Sequence, residues 1–191
     1  MLNVVYSLFS LFLVLLSLIG YGNVLFLRQK TYDLFLLLLT GYFVIGFIAL
    51  FLHFFLPINN FLSLIIILLG IILLIITKFN FSKKKFWTYI FLFMITSVVL
   101  LGYSNHAIDA NMYHHPYVSY LNSEKIIFSI ANIQFRFGHI SFMQFVQSAF
   151  TNEFLSPLTL SSLNIIFFTF FIIYCGEIIL NGNENNLLFL I

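Results

Sequence analysis

An all-α, polytopic transmembrane helical bundle is the architecture this sequence predicts, on three grounds. Hydrophobic residues fill 62% of its 191 positions and charged residues only 7%, where a soluble domain carries about 25% charged. The mean hydropathy of +1.08 agrees. The apolar residues gather into runs of roughly 20, the length at which a helix crosses a bilayer core and satisfies its own backbone polar groups. The cations fall between the runs, at Arg28, Lys30, Lys78 and Lys83 to Lys85.

Five segments have the length and composition of spans: Val4–Leu27, Asp33–Leu56, Phe61–Thr77, Phe86–Tyr103 and Leu158–Leu180. The first lacks the positive n-region and small-residue cleavage site of a secretory signal, so it reads as a retained helix. An apolar run from Leu187 to Ile191 reads as the opening of a sixth span, so the chain is expected to be a fragment or a truncated product. The expected organisation is therefore four helices in residues 1–104, one loop in 105–157, and the fifth helix with the start of the sixth in 158–191.

Short cytoplasmic loops retain Lys and Arg, so the Arg28/Lys30 and Lys78–Lys85 loops are expected inside. Trp87, beside the lysine cluster, suits an aromatic anchor at the interface. The N-terminus, the Pro57–Asn60 turn and the 105–157 loop are then extracytoplasmic.

That loop holds Asp109, four of the five His, Glu124, Lys125, Arg136 and Glu153. Two short interfacial helices are expected in it. Phe142, Phe145, Val146, Ala149 and Phe150 recur at helical spacing, with Gln144, Gln147 and Ser148 on the other side, the pattern of a helix lying along the membrane surface. Earlier, Tyr113, Tyr117, Tyr120 and Leu121 share a side, with Asp109 as an N-cap or Pro116 in a first turn. Lys125–Gly138 reads as a connector.

The net charge of +2 with no basic face gives no reason for a nucleic-acid partner. Cys175 is the single cysteine and lies in an apolar run, which excludes an intrachain disulfide. The sequence also has no Gly-rich phosphate loop, no Ser nucleophile elbow and no Cys/His dyad.

Asp109 stands at the membrane boundary, where a carboxylate can act as general base or hold a divalent metal cation against a phosphate. His114 and His115 are adjacent and point about 100° apart on a helix, a poor arrangement for sharing one metal. Imidazole hydrogen bonding to a phosphate or sugar is the better reading, with a metal site of Asp109, His106, His114 and His139 left open beside it. Arg136 offers a forked pair to phosphate oxygens and Lys125 a point charge. Inside the spans, His53 is expected to be satisfied by a neighbouring helix, and Glu177 to snorkel or meet a helix partner.

The run Asp109-Ala-Asn-Met-Tyr113-His114-His115-Pro116, then Glu124-Lys125-Ile126-Ile127-Phe128, then Ala131 to Ser141 with Arg136, Gly138 and His139, resembles a family of bacterial polytopic membrane proteins. Its members carry an Asp-x-x-x-Tyr-His-x-Pro element and a later Arg-x-Gly-like element on the first large outer loop. In layout that family is similar to the GT-C glycosyltransferases. Ser129-Ile130 stands where its members commonly show Gly-Leu. The resemblance implies an enzyme of the bacterial inner membrane that takes a sugar from a polyprenyl-phosphate donor. It implies Asp109 as the acidic residue at the catalytic centre, Arg136, His114 and His139 on the phosphate or sugar, and Tyr113 and Lys125 among the substrate-binding residues. Its partners would be the lipid-linked sugar, membrane lipid and the remaining C-terminal part of the enzyme.

Two other readings compete: a transporter or flippase for lipid-linked glycans, and a structural subunit. Transporters place polar sites near the bilayer midplane, whereas the first, third and fourth spans contain no Asp, Glu, Lys, Arg or His. That absence favours chemistry at the surface.

Overall fold

The computed structural model describes residues 2–25, 33–77, 83–103, 114–126, 141–155 and 162–180. Among them lie seven helices and no strand: α1 (Leu2–Leu25), α2 (Leu34–His53), α3 (Asn60–Ile76), α4 (Lys83–Tyr103), α5 (His115–Ser123), α6 (Phe142–Phe150) and α7 (Ser162–Leu180). The residues from Leu187 that read as a sixth span lie outside the described set.

The helix starts follow local chemistry. The first backbone N–H groups of a helix have no partner within it, and short polar side chains supply one. The Asp33 carboxylate accepts the Phe35 N–H at 2.9 Å, and Asn59 Oδ1 accepts the Leu62 N–H at 3.0 Å. Between these two helices, α2 ends at His53, because Pro57 lacks an N–H and its ring bars helical geometry in the residue before it.

Two close crossings bring α1 to the centre. Gly22 and Leu18 of α1 meet Leu37 and Gly41 of α2, so the two helices run antiparallel; a Cβ on Gly22 or Gly41 would collide with a facing carbonyl. On its other side Gly20 meets Gly70 of α3, and a Cβ there would also strike a carbonyl. Glycine permits this approach because backbone meets backbone with nothing between. Tyr21 donates to the Ile66 carbonyl at 2.9 Å and Asn23 Nδ2 to Thr77 Oγ1 at 2.7 Å. The α1 residues Leu11, Val14, Leu15, Leu18 and Ile19 form the middle of the core.

The fourth and seventh helices pair antiparallel at the side of this trio. Phe93 lies over Phe170 with ring centroids 5.7 Å apart, the hydroxyls of Thr96 and Thr169 are 2.8 Å apart, and Lys85 Nζ meets Glu177 Oε1 at 2.8 Å. Of the two expectations for Glu177, snorkelling or a helix partner, the helix partner is the one found. Phe35 and Tyr42 of α2 carry the pair, against Tyr174 and Phe167 respectively.

The outward faces are apolar: Phe47 and Phe51 on α2, Ile72 on α3, Phe91 and Val99 on α4 and Ile172 on α7 are all exposed. Three helical segments, Val4–Leu25, Leu34–His53 and Leu163–Leu180, are long and apolar enough to cross a membrane, and Asn60–Ile76 and Lys85–Leu101 are shorter apolar helices. The protein is membrane-associated on this evidence. Trp87, read as an interface anchor, is exposed on α4.

Alternating helix directions give the bundle two chemically different ends. Lys85 and Glu177 mark one. The other carries the α2–α3 turn, α5 and α6.

Candidate functional site

The site grows from the C-terminus of α2. A helix leaves its last carbonyls without partners, and here the His53 carbonyl accepts the Ile126 N–H at 3.1 Å. One turn further along the chain, Ile58 N–H donates to the Leu121 carbonyl at 2.9 Å. These two bonds tie the C-terminal end of α5 and the residues just after it to the end of α2 and the turn that follows. Pro116 occupies its first turn, as the sequence allows. Tyr117, Val118 and Leu121 face inward, and burial, with Tyr120 a smaller contributor, pushes the Tyr117 hydroxyl up to about 12.

α6 occupies the residues expected, Phe142–Phe150, but its environment differs from that of a helix lying on a surface. The Phe142 ring covers Gly46, where a Cβ would strike it, and it contacts Tyr42, Phe43 and Phe47 at centroid distances of 5.5, 5.7 and 5.3 Å. Gly46 precedes the end of α2 by seven residues, roughly two turns at 3.6 residues per turn, so α6 reaches down the side of α2. Gln144 and Ser148, expected on a polar outer side, are buried. The helices α2, α3 and α5 all pack against α6, and Gln144 faces His114 at the start of α5.

Buried polar atoms must be paired, and the α6 seat shows how. Ser63 Oγ donates to the Ala149 carbonyl at 2.8 Å, and Asn152 Nδ2 donates to Ser63 Oγ at 3.1 Å. Asn122 Nδ2 donates to the Thr151 carbonyl at 3.0 Å, tying α5 to the exit of α6. Gln144 Oε1 accepts the Ser141 N–H at 3.1 Å, and its Nε2 lies 3.1 Å from His114 Nδ1.

His53 is 1% exposed, edge-on to Tyr120 and Phe145 with centroids 6.3 and 5.7 Å away. Neighbouring helices enclose it as expected. Its Nδ1 has no hydrogen-bond partner among the described residues.

The sequence-derived site residues divide in two. His114 is partly buried at the start of α5 and bonded to Gln144. His115 is exposed, so the adjacent rings face different surroundings, as helical geometry requires. Lys125 is exposed just beyond α5, where its backbone carbonyl accepts the Tyr120 hydroxyl at 3.0 Å. Asp109, Tyr113, Arg136 and His139, with His106, lie outside the described residues. Among the described residues no three His, Cys, Asp or Glu side chains form a metal-binding group. Gln144 was missed as a site residue; Ser141-x-x-Gln144 has the spacing of a capping box, the signal that would have found it.

A family model covers the whole of this architecture. The chain belongs to the DUF8201 family. That family, described as a domain of unknown function, matches residues 1–191. No curated protein and no solved structure matches the chain. What this DUF8201 chain offers chemically is a set of hydrogen-bonding groups on α5 and α6, set beside an apolar helix, with the exposed Lys125 at their rim.

Proposed function

We propose that this chain is a GT-C-like membrane glycosyltransferase, or the front portion of one, transferring a sugar from a polyprenyl-phosphate donor at the extracytoplasmic face of a bacterial inner membrane. In this reading all five apolar helices span. Residues 1–104 and 158–191 hold the membrane, and the 105–157 loop carries the chemistry.

The observation that carries the reading is the position of His114, whose ring lies 3.1 Å from Gln144 on α6, a helix that itself descends beside α2. A lipid-borne phosphate is the substrate chemistry suited to polar groups set against an apolar helix flank. In the order of elements Asp109 falls between α4 and α5 and Arg136 between α5 and α6, and the reading has this acid and guanidinium working together.

In the proposed step the Asp109 carboxylate takes the proton of an acceptor hydroxyl. The freed oxygen forms a bond to the anomeric carbon while the bond from that carbon to the phosphate oxygen breaks. Polyprenyl phosphate leaves with the electron pair, its charge met by Arg136 and Lys125, while His114, His139 and Tyr113 bind sugar or phosphate. A divalent cation on Asp109 would share the phosphate charge; no step depends on it here.

Purified full-length parent protein incubated with a labelled lipid-linked sugar tests the reading. Release of polyprenyl phosphate with sugar on an acceptor is the expected result, abolished in Asp109→Asn at unchanged membrane abundance. Normal transfer by that variant overturns the role of Asp109. Movement of the lipid across vesicles without release would show a transporter instead.

A further inference from the structure

The contacts of α5 and α6 give both helices a depth and a direction. α2 runs from Leu34 to His53, and the Phe142 ring at the start of α6 meets it at Tyr42, Phe43, Gly46 and Phe47, near the middle of that helix. The other end of α6 is at the rim of the bundle, where the Ala149 carbonyl accepts from Ser63 in the first turn of α3. The 9 residues of α6 rise about 13 Å, close to half of the roughly 30 Å core of a bilayer. α5 stands alongside and points the same way. Its start faces the start of α6, His114 against Gln144 at 3.1 Å, and its end faces the exit of α6, Asn122 against Thr151 at 3.0 Å.

Over this one range of depth, the outward surfaces of α2 and α5 have opposite chemistry. On α2, Phe43, Phe47 and Phe51 are exposed, as contact with lipid requires. On α5, His115, Ser119 and Ser123 are exposed; they recur at every fourth position and so share one side of the helix, with Pro116 beside them and Tyr117, Val118 and Leu121 turned inward. Polar side chains in the membrane face the protein interior or a water-filled cavity, because exposing them to hydrocarbon is costly. This stripe is not turned into the protein, so water is its partner.

We infer that α5 and α6 are a pair of half-spans sunk into the membrane beside α2, and that the His115–Ser119–Ser123 stripe lines a water-filled recess descending from the α2–α3 turn to about the bilayer midplane. The full span of α2 is the one element borrowed from the proposed function; a transferase or a transporter could equally use the recess. In a transferase it is the entrance of one substrate: a water-soluble acceptor hydroxyl comes down the recess, while the tail of the lipid-linked donor stays in the bilayer.

Two measurements on the full chain test this. In lipid vesicles, with Trp87→Phe as background, a lone tryptophan is introduced by Phe142→Trp at the start of α6, by Phe47→Trp near the middle of α2, or by Phe154→Trp beyond the end of α6. Its depth is read by quenching with lipids labelled at shallow or deep positions of the acyl chain. Phe142→Trp and Phe47→Trp should be quenched more by the deep label, and Phe154→Trp more by the shallow one. If Phe142→Trp does not fold, Met143→Trp reads the same level. A start of α6 as shallow as Phe154→Trp puts the pair on the surface and overturns the inference. In open membrane fragments, with Cys175→Ser as background, His115→Cys, Ser119→Cys and Ser123→Cys should react with a small charged thiosulfonate at rates within about tenfold of one another, because the attacking thiolate forms where water solvates it. Phe47→Cys, at similar depth but facing lipid, should react more than about a hundredfold more slowly for the same reason. His115→Cys reacting as slowly as Phe47→Cys removes the recess. If both measurements come out as expected and the parent protein transfers no sugar, the recess stands and the transferase reading falls.

Discussion

Gly22 and Gly41 are the tightest points between α1 and α2, because each faces a carbonyl of the other helix at a separation that leaves no room for a methyl group. Gly22→Ala or Gly41→Ala is expected to push the helices apart and cost about 1–3 kcal/mol, as overpacking does. Among the described residues nothing lies within 4 Å of where a methyl group on Gly176 of α7 would stand, so Gly176→Ala should leave stability unchanged or raise it by up to about 1 kcal/mol. Unfolding of the three variants in detergent compares them directly. Tyr117 supplies a second test. Its hydroxyl is raised to about 12 by burial, against about 10 in an unfolded chain, so the folded state keeps its proton longer. Stability is then independent of this group below pH 10 and falls as pH rises from about 10 to 12. Denaturation of the wild type and Tyr117→Phe across that range should show a steeper alkaline loss in the wild type. At this scale the sequence was only partly readable. The inward side of α5 and the burial of His53 followed from spacing and hydropathy. The burial of Gln144 did not, because an amide on the polar side of an amphipathic helix looks the same whether water or another helix covers it.

Among the elements, boundaries were readable wherever a local signal exists. Asp33, Asn59 and Pro57 set the limits of α2 and α3 by capping and by the missing N–H. Phe142–Phe150 emerged from its period alone. Partnership between helices was not readable, since every span presents similar Leu, Ile and Phe, and only the polar exceptions distinguish them. Glu177 was expected to snorkel or meet a helix partner, yet nothing in its own sequence named Lys85. The α4–α7 pairing predicts a crosslink: with Cys175→Ser as background, Thr96→Cys and Thr169→Cys should form a disulfide on mild oxidation, because the native hydroxyls are 2.8 Å apart. Mass spectrometry of the digested membrane protein would detect it, and two unlinked cysteines would refute the pairing. Removing the exposed Lys85–Glu177 pair should matter less, on the order of 0.2–1 kcal/mol.

For the molecule as a whole, the alternation of helix directions gathers Lys85 at one end and α5 with α6 at the other. Composition made the all-helical, membrane-associated character plain, since a chain with so few charges has no polar surface with which to meet water. The proposed orientation makes a simple prediction. In the Cys175→Ser background, a cysteine at Ser119, exposed on α5, should react with an impermeant maleimide added to intact cells. One at Lys84 should react only after the membrane is opened. The reverse pattern would turn the protein over and remove the extracytoplasmic site.

The hydrogen bond from Ser63 to Ala149 joins residues 86 positions apart, and this has a consequence for how the protein is born. At a synthesis rate of roughly 5–20 residues per second, those 86 positions take roughly 4–17 s to emerge. Throughout that interval the newborn first three helices present a vacant berth: a serine hydroxyl without its carbonyl, and a bare glycine where an aromatic ring belongs. The late-arriving segment is thus the keystone of biogenesis, and a ribosome stalled between the two would leave an unfinished bundle that quality-control proteases could recognise by that gap.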